Sequence, residues 1–572
     1  MNKSMKGLLA TGLSLAVIST SSLLMAADSQ KSQVKKSDSK NIIVLIGDGM
    51  GPAQVSAARL YSKSVLGKPH LTLDSYYVGQ ATTYADKGED GDKIVSGAIT
   101  DSASAGTAFA TGNKTYNAAI SVSNEDVSKP YASVIEAAEM NGKATGLVTT
   151  ARITHATPAV FGAHVRSRDN ESAIASQYLD SGIDVLFGGG EQFFLSKDEK
   201  GKRADKSIIK DFTAKGYKVV KDNKSLNALT SKNQKAVGLF GSSHVAYVPD
   251  RTESTPNLAN MTKKALEILS ADKDGFAIMI EGGRIDHASH ANDFPTTIQE
   301  MLDFDAAVKV AMEFAKKDGN TSVVVTADHE TGGLSLSRDN IYELNIDLWN
   351  KQKHSSEFLI NALKDAKTID DIKKIVSTNT WINDLSDEEA QQILDGDGSS
   401  YGREGGYNAV ISKRVLVGWS GHGHSGVDVG VWAYGPIASQ VKGQIDNTQI
   451  ALASAKVIGV DLKKATASLQ SKHLYPKFKV NRDGVVLYPA EALAKALGGT
   501  YKSGNGPSTL TKGKNTIEIN KTSLAVKVNG KAAAYKADLD NGKFYLPLEA
   551  FNSLTGTKMT WDSLSERIVL KK

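Results

Sequence analysis

Residues 41–51 read Asn-Ile-Ile-Val-Leu-Ile-Gly-Asp-Gly-Met-Gly, and this stretch decides the fold. Its apolar run, Ile42–Ile46, predicts a strand that is buried on both faces, as in a parallel sheet. Glycines then surround Asp48, so the backbone can turn tightly where the strand ends. The stretch predicts an α/β domain with an acidic residue at the carboxyl end of a strand, where such sheets bind ligands.

The same pattern continues to about Lys464. Apolar strands alternate with helical segments, which predicts a mostly parallel central sheet flanked by helices. Further strands are predicted at Thr145–Thr149, Val185–Phe187, Phe276–Ile280 and Val323–Thr326. Helices are predicted at Ser133–Met140 and Leu258–Leu269. We expect residues 41–468 to form one catalytic-type domain.

The N-terminus carries an export pattern. Lys3 and Lys6 precede an apolar run that gives way to small residues at Ala26-Ala27, which predicts a signal peptide over residues 1–27. Residues 28–40 are polar and predict a tether. No later stretch reaches the roughly 18 uninterrupted apolar residues of a membrane span. We expect a secreted protein, extracellular or periplasmic, with an uncleaved N-terminal anchor as the alternative.

Two regions differ in character from this domain. Residues 335–420 predict a helical insertion over the sheet edge, with helices at Ser355–Ala366, Thr368–Val376 and Ser386–Leu394. Residues 473–572 contain a repeat, because the Pro-Ala-Glu-Ala-Leu that starts at Pro489 returns as Pro-Leu-Glu-Ala-Phe at Pro547. Each copy follows a short apolar strand and opens an amphipathic helix. This predicts a small α+β module.

Composition excludes several classes of function. The 572 residues include no cysteine, so disulfides, thiolate nucleophiles and thiolate metal sites are excluded. A net charge of +5 without a dense basic run argues against a nucleic-acid partner. Any metal must therefore be bound by His, Asp, Glu and hydroxyl groups.

Metal-type side chains follow the predicted strands. An Asp after a strand is more often a helix cap than a ligand, but about half of the 11 histidines lie in such strand-end clusters. Imidazole and carboxylate without thiolate suit zinc, or zinc with magnesium. The clusters comprise Asp48, then Glu281, Asp286, His287 and His290, then Asp328 and His329, and finally His422 and His424.

Ser102 is the candidate nucleophile. In Thr100-Asp101-Ser102-Ala103-Ser104 the serine opens a segment that can be helical. The positive end of a helix and its free N–H groups favour a phosphate there. Taken alone, Asp-Ser is also a common N-cap, so both interpretations stay open at this point.

Five motifs together resemble the alkaline phosphatase family, in its secreted bacterial type. They occur in the family's order from about Asn41 to Lys464. They are Gly-Asp48-Gly-Met-Gly, the Thr-Asp101-Ser102 signature with Thr-Gly-x-Lys114-Thr-x-Asn117, the segment Glu281 to His290, Ala-Asp328-His329 and Gly-His424-Ser-Gly.

The resemblance implies a site with two Zn2+ ions and one Mg2+ ion. It assigns Asp286, His290 and His424 to the first zinc, Asp48, Asp328, His329 and Ser102 to the second, and Glu281, Thr157 and a second oxygen of Asp48 to magnesium. It also implies that Ser102 forms a phosphoserine and that Arg168 clamps the phosphate beside Asp101. The implied activity is hydrolysis of small phosphate monoesters at alkaline pH, by a homodimer, with release of inorganic phosphate.

Two histidines depart from the enteric bacterial form of the family. His155 stands where that form has Asp, and His287 stands where it has Lys. We take both as adjacent to the metals rather than as assigned ligands, which leaves the ion at the third site open. Of the neighbouring residues, His164 is expected to be packed, Arg166 to be a surface charge and His422 to be a weaker candidate than His424.

Other classes of function compete with this one. Within the same superfamily, a sulfatase needs a Cys or Ser in a formylglycine context, and diesterases usually carry Thr and lack the Arg and magnesium set. A surface adhesion protein is the third class. It is suggested by the C-terminal module, which resembles copper amine oxidase N-terminal-like domains and implies an accessory, surface-associated role without a copper site. The intact Ser102 argues against it.

Overall fold

The computed structural model describes residues 38–86 and 97–570. The predicted signal peptide and residues 28–37 of the predicted tether lie outside the described residues. Over the described part of the chain, every helix is too short or too polar to cross a bilayer.

A ten-stranded sheet forms the centre of the described chain. In chain order its strands are β1 (Asn41–Gly47), β2 (Tyr77–Thr82), β3 (Ala144–Arg152), β4 (Val185–Gly189), β5 (Lys218–Val220), β6 (Ala236–Leu239), β7 (Phe276–Gly282), β8 (Thr321–Ala327), β9 (Val429–Tyr434) and β10 (Gly443–Asp446). Their spatial order is β10-β2-β9-β8-β1-β7-β3-β4-β6-β5. Only β9 is antiparallel to its neighbours among these strands.

The predicted α/β class is confirmed. β1 lies between β7 and β8, and all of its residues are buried. Both faces of the sheet are therefore covered, as the continuous apolar sequence of β1 requires.

The longer helices of this part are Pro52–Ser64, Ser102–Thr111, Glu171–Ser181, Leu258–Leu269, Phe294–Asp318, Thr448–Ile458 and Leu462–Gln470. Shorter ones are Val134–Glu139, Ala156–Ala159, Ile209–Ala214, Asn223–Asn227 and Arg284–His290.

Residues 335–420 form a helical region with its own core. Its helices are Ser356–Leu363, Ile369–Asn379, Asp387–Asp395 and Arg403–Val415. Ser386 and Glu389 form the predicted capping box. At the neck of this region Ser335 and Gly418 exchange two backbone hydrogen bonds. Its core continues onto Phe294 and Ile298 of the helix Phe294–Asp318.

Residues 473–570 form an α+β module. One sheet pairs Val486–Pro489 with Lys543–Pro547, so the two copies of the repeat lie side by side. Each of these strands leads into a helix, Ala490–Ala496 or Leu548–Thr555. The remaining strands are Lys479–Val480, Thr500–Lys502, Ser508–Lys512, Asn515–Ile519, Ala525–Val528, Lys531–Lys536 and Asp538–Asp540.

A separate four-stranded sheet joins this module to the rest of the protein. Its order is Thr560–Asp562, Arg567–Val569, His473–Pro476 and Val127–Ser128. Three strands come from the module, and the fourth precedes the helix Val134–Glu139 of the large domain. The module is thus attached by backbone hydrogen bonds as well as by the chain itself.

Candidate active site

The predicted metal-type side chains meet at the carboxyl edge of the central sheet. Asp48 follows β1, Glu281 lies at the end of β7, and Asp328 follows β8. Because these three strands are adjacent and parallel, their ends bring the carboxylates together. All three side chains are fully buried.

The first group of ligand atoms is formed by Asp286, His290 and His424. His290 Nε2 lies 3.3 Å from Asp286 Oδ2 and 3.1 Å from His424 Nε2. His424 Nε2 lies 3.6 Å from Asp286 Oδ1. His424 is held by its other nitrogen, which lies 2.8 Å from the carbonyl oxygen of Thr100.

The second group contains Asp48, Asp328 and His329. His329 Nε2 lies 3.1 Å from Asp328 Oδ2 and 3.8 Å from Asp48 Oδ1. It also lies 3.2 Å from Ser102 Oγ, which places the candidate nucleophile at this group. His329 faces the first group as well, because ligand atoms of Asp286, His329 and His424 lie within 4.8 Å of one another.

The third group contains Asp48, Glu281 and His155. Thr157 follows in the short helix Ala156–Ala159, close enough to Glu281 to lower the pKa of that carboxyl group. Burial has the larger effect and raises the pKa of Glu281 to about 7. The structure thus brings His155, considered only metal-adjacent from the sequence, within reach of the same centre.

The charge of the site calls for cations. Burial, and then the neighbouring carboxylates of Asp328, Asp286 and Glu281, raise the pKa of Asp48 well above its usual value. Both Asp48 oxygens, Glu281 Oε1, Thr157 Oγ1 and His155 Nδ1 are buried without a hydrogen-bond partner among the described residues. Buried oxygens of this kind are costly unless a bound ion pairs with them. The donor set therefore fits zinc and magnesium.

Ser102 is the first residue of the helix Ser102–Thr111, and Asp101 is its N-cap. The Asp101 carboxylate accepts hydrogen bonds from the backbone N–H groups of Ser104 and Ala118. It also pairs with Arg168, whose Nη1 lies 3.0 Å from Asp101 Oδ2. The N-cap interpretation of Asp101 is confirmed, and the same cap places Ser102 at the positive end of the helix.

Arg168 extends from a loop towards these groups. Its backbone N–H donates to the carbonyl oxygen of Ala118, and its Nη2 lies 3.0 Å from His155 Nε2. Its guanidinium is therefore oriented by Asp101 on one side and His155 on the other. This planar group suits two oxygens of one phosphate.

His287 lies in a second cluster of imidazoles behind the third group. Its ring centroid is 4.2 Å from that of His244 and 5.4 Å from that of His155. Burial lowers the pKa of all three well below the usual value. His244 was not predicted as a site residue, although it follows the end of β6 as the other site residues follow their strands.

The remaining predicted residues surround the site. His164 is buried between Glu136 and the carbonyl oxygen of Ser121, as expected for a packed residue. Arg166 is not a simple surface charge, because its guanidinium donates to backbone and side-chain oxygens of the large domain and the module.

His422 lies behind His290, outside the three ligand groups. Its Nδ1 is 2.7 Å from the carbonyl oxygen of His290, and its Nε2 is 3.2 Å from Asp397 Oδ2. Its ring stacks on Tyr401 with centroids 4.7 Å apart. Asp397 and Tyr401 belong to the helical region, which therefore borders the site.

Two family models match consecutive parts of the chain. Residues 39–460 match the family model described as "Alkaline phosphatase", and residues 473–570 match "Copper amine oxidase N-terminal domain". The chain is similar to alkaline phosphatase 3 of Bacillus subtilis, with 39% identity over 79% of this chain and 96% of the relative.

Solved structures show the same likeness. A cold-active alkaline phosphatase from Shewanella sp. aligns with a TM-score of 0.64 and 34% identity, over 73% of this chain and 99% of that one. A His-to-Glu variant of the TAB5 alkaline phosphatase, described with Mg bound in its M3 site, aligns with a TM-score of 0.53 and 30% identity. That alignment covers 74% of this chain and 99% of the variant.

Proposed function

Because the chain belongs to the alkaline phosphatase family, we propose that it is an exported, metal-dependent phosphomonoesterase that hydrolyses small phosphate monoesters at alkaline pH through a phosphoserine on Ser102. The observation that carries this proposal is the position of Ser102 Oγ, 3.2 Å from His329 Nε2 and at the N-terminus of a helix. Three groups of carboxylate and imidazole ligand atoms lie at the same sheet edge.

The proposed ligand sets are those that the family resemblance implies, and the grouping of the side chains supports them. Asp286, His290 and His424 would hold one Zn2+, and Asp48, Asp328, His329 and Ser102 a second. Glu281, Thr157 and the second oxygen of Asp48 would hold Mg2+, with His155 beside it. When bound, such ions supply positive charge to the attacking and leaving oxygens of an in-line displacement.

The protein's own side chains would bind the phosphate, orient it and supply the nucleophile. Arg168 would bind two phosphate oxygens, and Asp101 and His155 would fix the plane of its guanidinium. The phosphate would thereby be oriented with phosphorus facing Ser102 Oγ. Ser102 Oγ would lose its proton and attack phosphorus, the P–O bond to the alcohol would break, and the departing oxygen would take up a proton. Water would then hydrolyse the phosphoserine to release inorganic phosphate.

Two alternatives on the same frame are less well supported. The substrate of a phosphodiesterase carries a second ester group, and this group would have to lie where Arg168 would bind the phosphate oxygens. A sulfatase would need a formylglycine context, which Asp101-Ser102-Ala103-Ser104 lacks. A binding protein without catalysis would not explain a nucleophile, a guanidinium and three ligand groups at one edge.

Domain boundaries, export and assembly complete the proposal. We infer a signal peptide at residues 1–27, a tether at 28–40, a catalytic domain at 41–468 with an insertion at 335–420, and an accessory module at 473–572. The proposed active form is a secreted homodimer, extracellular or periplasmic, whose module associates with the cell surface.

The test is hydrolysis of p-nitrophenyl phosphate by the full chain at alkaline pH. We expect turnover that is lost after chelation, restored by zinc with magnesium and absent in Ser102→Ala. Bis-p-nitrophenyl phosphate and p-nitrophenyl sulfate serve as competing substrates. Faster turnover of either one, or full activity of Ser102→Ala, would overturn the proposal.

A further inference from the structure

The loop that carries Arg168 is bound on both sides by the C-terminal module. Arg166 lies two residues before Arg168 and Asn170 two residues after it, and each makes a hydrogen bond to a backbone carbonyl of the module. Arg168 itself makes hydrogen bonds to three residues of the large domain among the described contacts. They are Ala118, Asp101 and His155, which all lie at the site.

The upstream contact involves the sheet shared by the two parts of the protein. Val127–Ser128 of the large domain pairs with His473–Pro476 of the module, in the register Ser128 to Tyr475. The Arg166 guanidinium donates to Ser128 Oγ and to the carbonyl oxygen of Tyr475, at 3.4 Å for the latter. The guanidinium thus spans the line where the module joins the domain.

The downstream contact is made by Asn170. Its Nδ2 donates to the carbonyl oxygen of Leu564 at 2.8 Å. Leu564 lies in a turn whose backbone is held by Asp562 Oδ1, and its side chain packs against the core of the large domain. The acceptor is therefore on a fixed part of the module.

A purely local role does not explain Asn170. It precedes the helix Glu171–Ser181, but its side chain makes no capping hydrogen bond to that helix. Its amide is directed to the module instead. Removing the amide should leave the helix end as it is and release only the contact to Leu564.

We propose that the C-terminal module is a positioning element of the active site, which fixes the loop 166–170 and so aligns Arg168 with the phosphate. The proposal rests on the proposed function, in which Arg168 binds phosphate. Arg166 and Asn170 are positioning residues that act through Arg168. An accessory module thereby contributes to substrate affinity without touching the substrate.

The experiment uses the full chain and inorganic phosphate as the probe. We expect Asn170→Ala to raise the inhibition constant of phosphate by about threefold to tenfold, the effect of losing one hydrogen bond, with less change in kcat. Arg166→Lys keeps the charge but removes the planar guanidinium, and it should also raise the inhibition constant of phosphate. Asn170→Gln keeps the amide and should recover part of the affinity.

Controls separate this role from general destabilisation. Asn345→Ala removes a similar bond, from Asn345 Nδ2 to the carbonyl oxygen of Arg414 at 2.7 Å, far along the chain from the loop. It should leave the phosphate inhibition constant unchanged. In an Arg168→Ala background, Asn170→Ala should add nothing, because the residue through which it acts is gone.

Hydrogen exchange separates a failure of this proposal from a failure of the proposed function. Amides of residues 166–170 should exchange faster in Asn170→Ala than in Asn345→Ala, whether or not the enzyme turns over. Faster exchange with an unchanged inhibition constant, or an equal loss of affinity in the Arg168→Ala background, would overturn the proposal. If the wild-type protein neither hydrolyses p-nitrophenyl phosphate nor binds phosphate, the proposed function fails instead.

Discussion

The imidazole rings of His329 and His424 stack with centroids 3.5 Å apart and planes inclined by 19°. The stack joins two of the ligand groups, because His424 lies with Asp286 and His290 while His329 lies with Asp48 and Asp328. Burial, and then His329, lower the pKa of His424 to about 4. A neutral imidazole is the form that binds a metal, so the lowered pKa of His424 suits a ligand role for that ring.

Metal removal should lower the stability of the protein as well as its activity. Without ions, the buried carboxylates of Asp48, Glu281, Asp286 and Asp328 remain close together. We expect chelation to lower the melting temperature by about 5 °C or more, because ions that bind only the folded state stabilise it. Calorimetry before and after zinc and magnesium add-back measures this. An unchanged melting temperature after confirmed metal loss would contradict it.

Ser102 should be phosphorylated during turnover. After incubation with substrate and an acid quench, mass spectrometry should find phosphate on the peptide that contains Ser102, and none in Ser102→Ala. Ser454→Ala, which removes a buried hydroxyl from the helix Thr448–Ile458, serves as a matched control and should keep the modification. A phosphopeptide from another site alone would exclude Ser102 as the nucleophile.

Arg168 should govern phosphate affinity through its shape as well as its charge. We expect Arg168→Ala to weaken inhibition by phosphate by about 10-fold to 100-fold, the range for a charge-assisted pair of hydrogen bonds. Arg168→Lys should recover only part of this, because an ammonium cannot replace the fork. Inhibition kinetics test both variants. Full recovery by lysine would show that charge alone suffices.

The helical region should tune metal affinity at the first group. Asp397 contacts His422, whose backbone oxygen accepts a hydrogen bond from His290 Nδ1. We expect Asp397→Ala to weaken zinc binding by about tenfold or more, as other outer-shell changes do. Competition with a fluorescent chelator measures this. Asp395→Ala, two residues away on the surface, should bind zinc like the wild type.

Glu139 should make stability depend on pH. Burial raises its pKa to about 7, so the folded state holds a proton that the unfolded state releases near pH 4.5. Between these values the folded state binds more protons, and stability therefore falls as pH rises. We expect Glu139→Gln to raise the melting temperature above pH 7 and to have little effect near pH 4. Exposed Glu267→Gln is the control, and a pH-independent difference for Glu139→Gln would contradict the assignment.

The main sheet was predictable where strands are buried on both faces. All five strands predicted from apolar runs are present, including Ile42–Ile46 within β1 and Val323–Thr326 within β8. Of the strands that were not predicted, β6 (Ala236–Leu239) is buried but only four residues long, whereas the edge strands β5 (Lys218–Val220) and β10 (Gly443–Asp446) are short and partly exposed. The sequences of these two edge strands lack a continuous apolar run because only part of each side-chain row is buried.

The sequence by itself predicted the candidate site of this protein, because the strand-end motifs with Asp48 and with Asp328-His329, and the helix-start motif with Ser102, are local and carry their own signal. It could not determine how the parts meet. His244 beside His287, the hydrogen bond from Asn170 to Leu564, and the role of Arg166 all join residues far apart in the chain. Such contacts are decided by packing of distant elements, which leaves no periodicity or spacing in the sequence to reveal them.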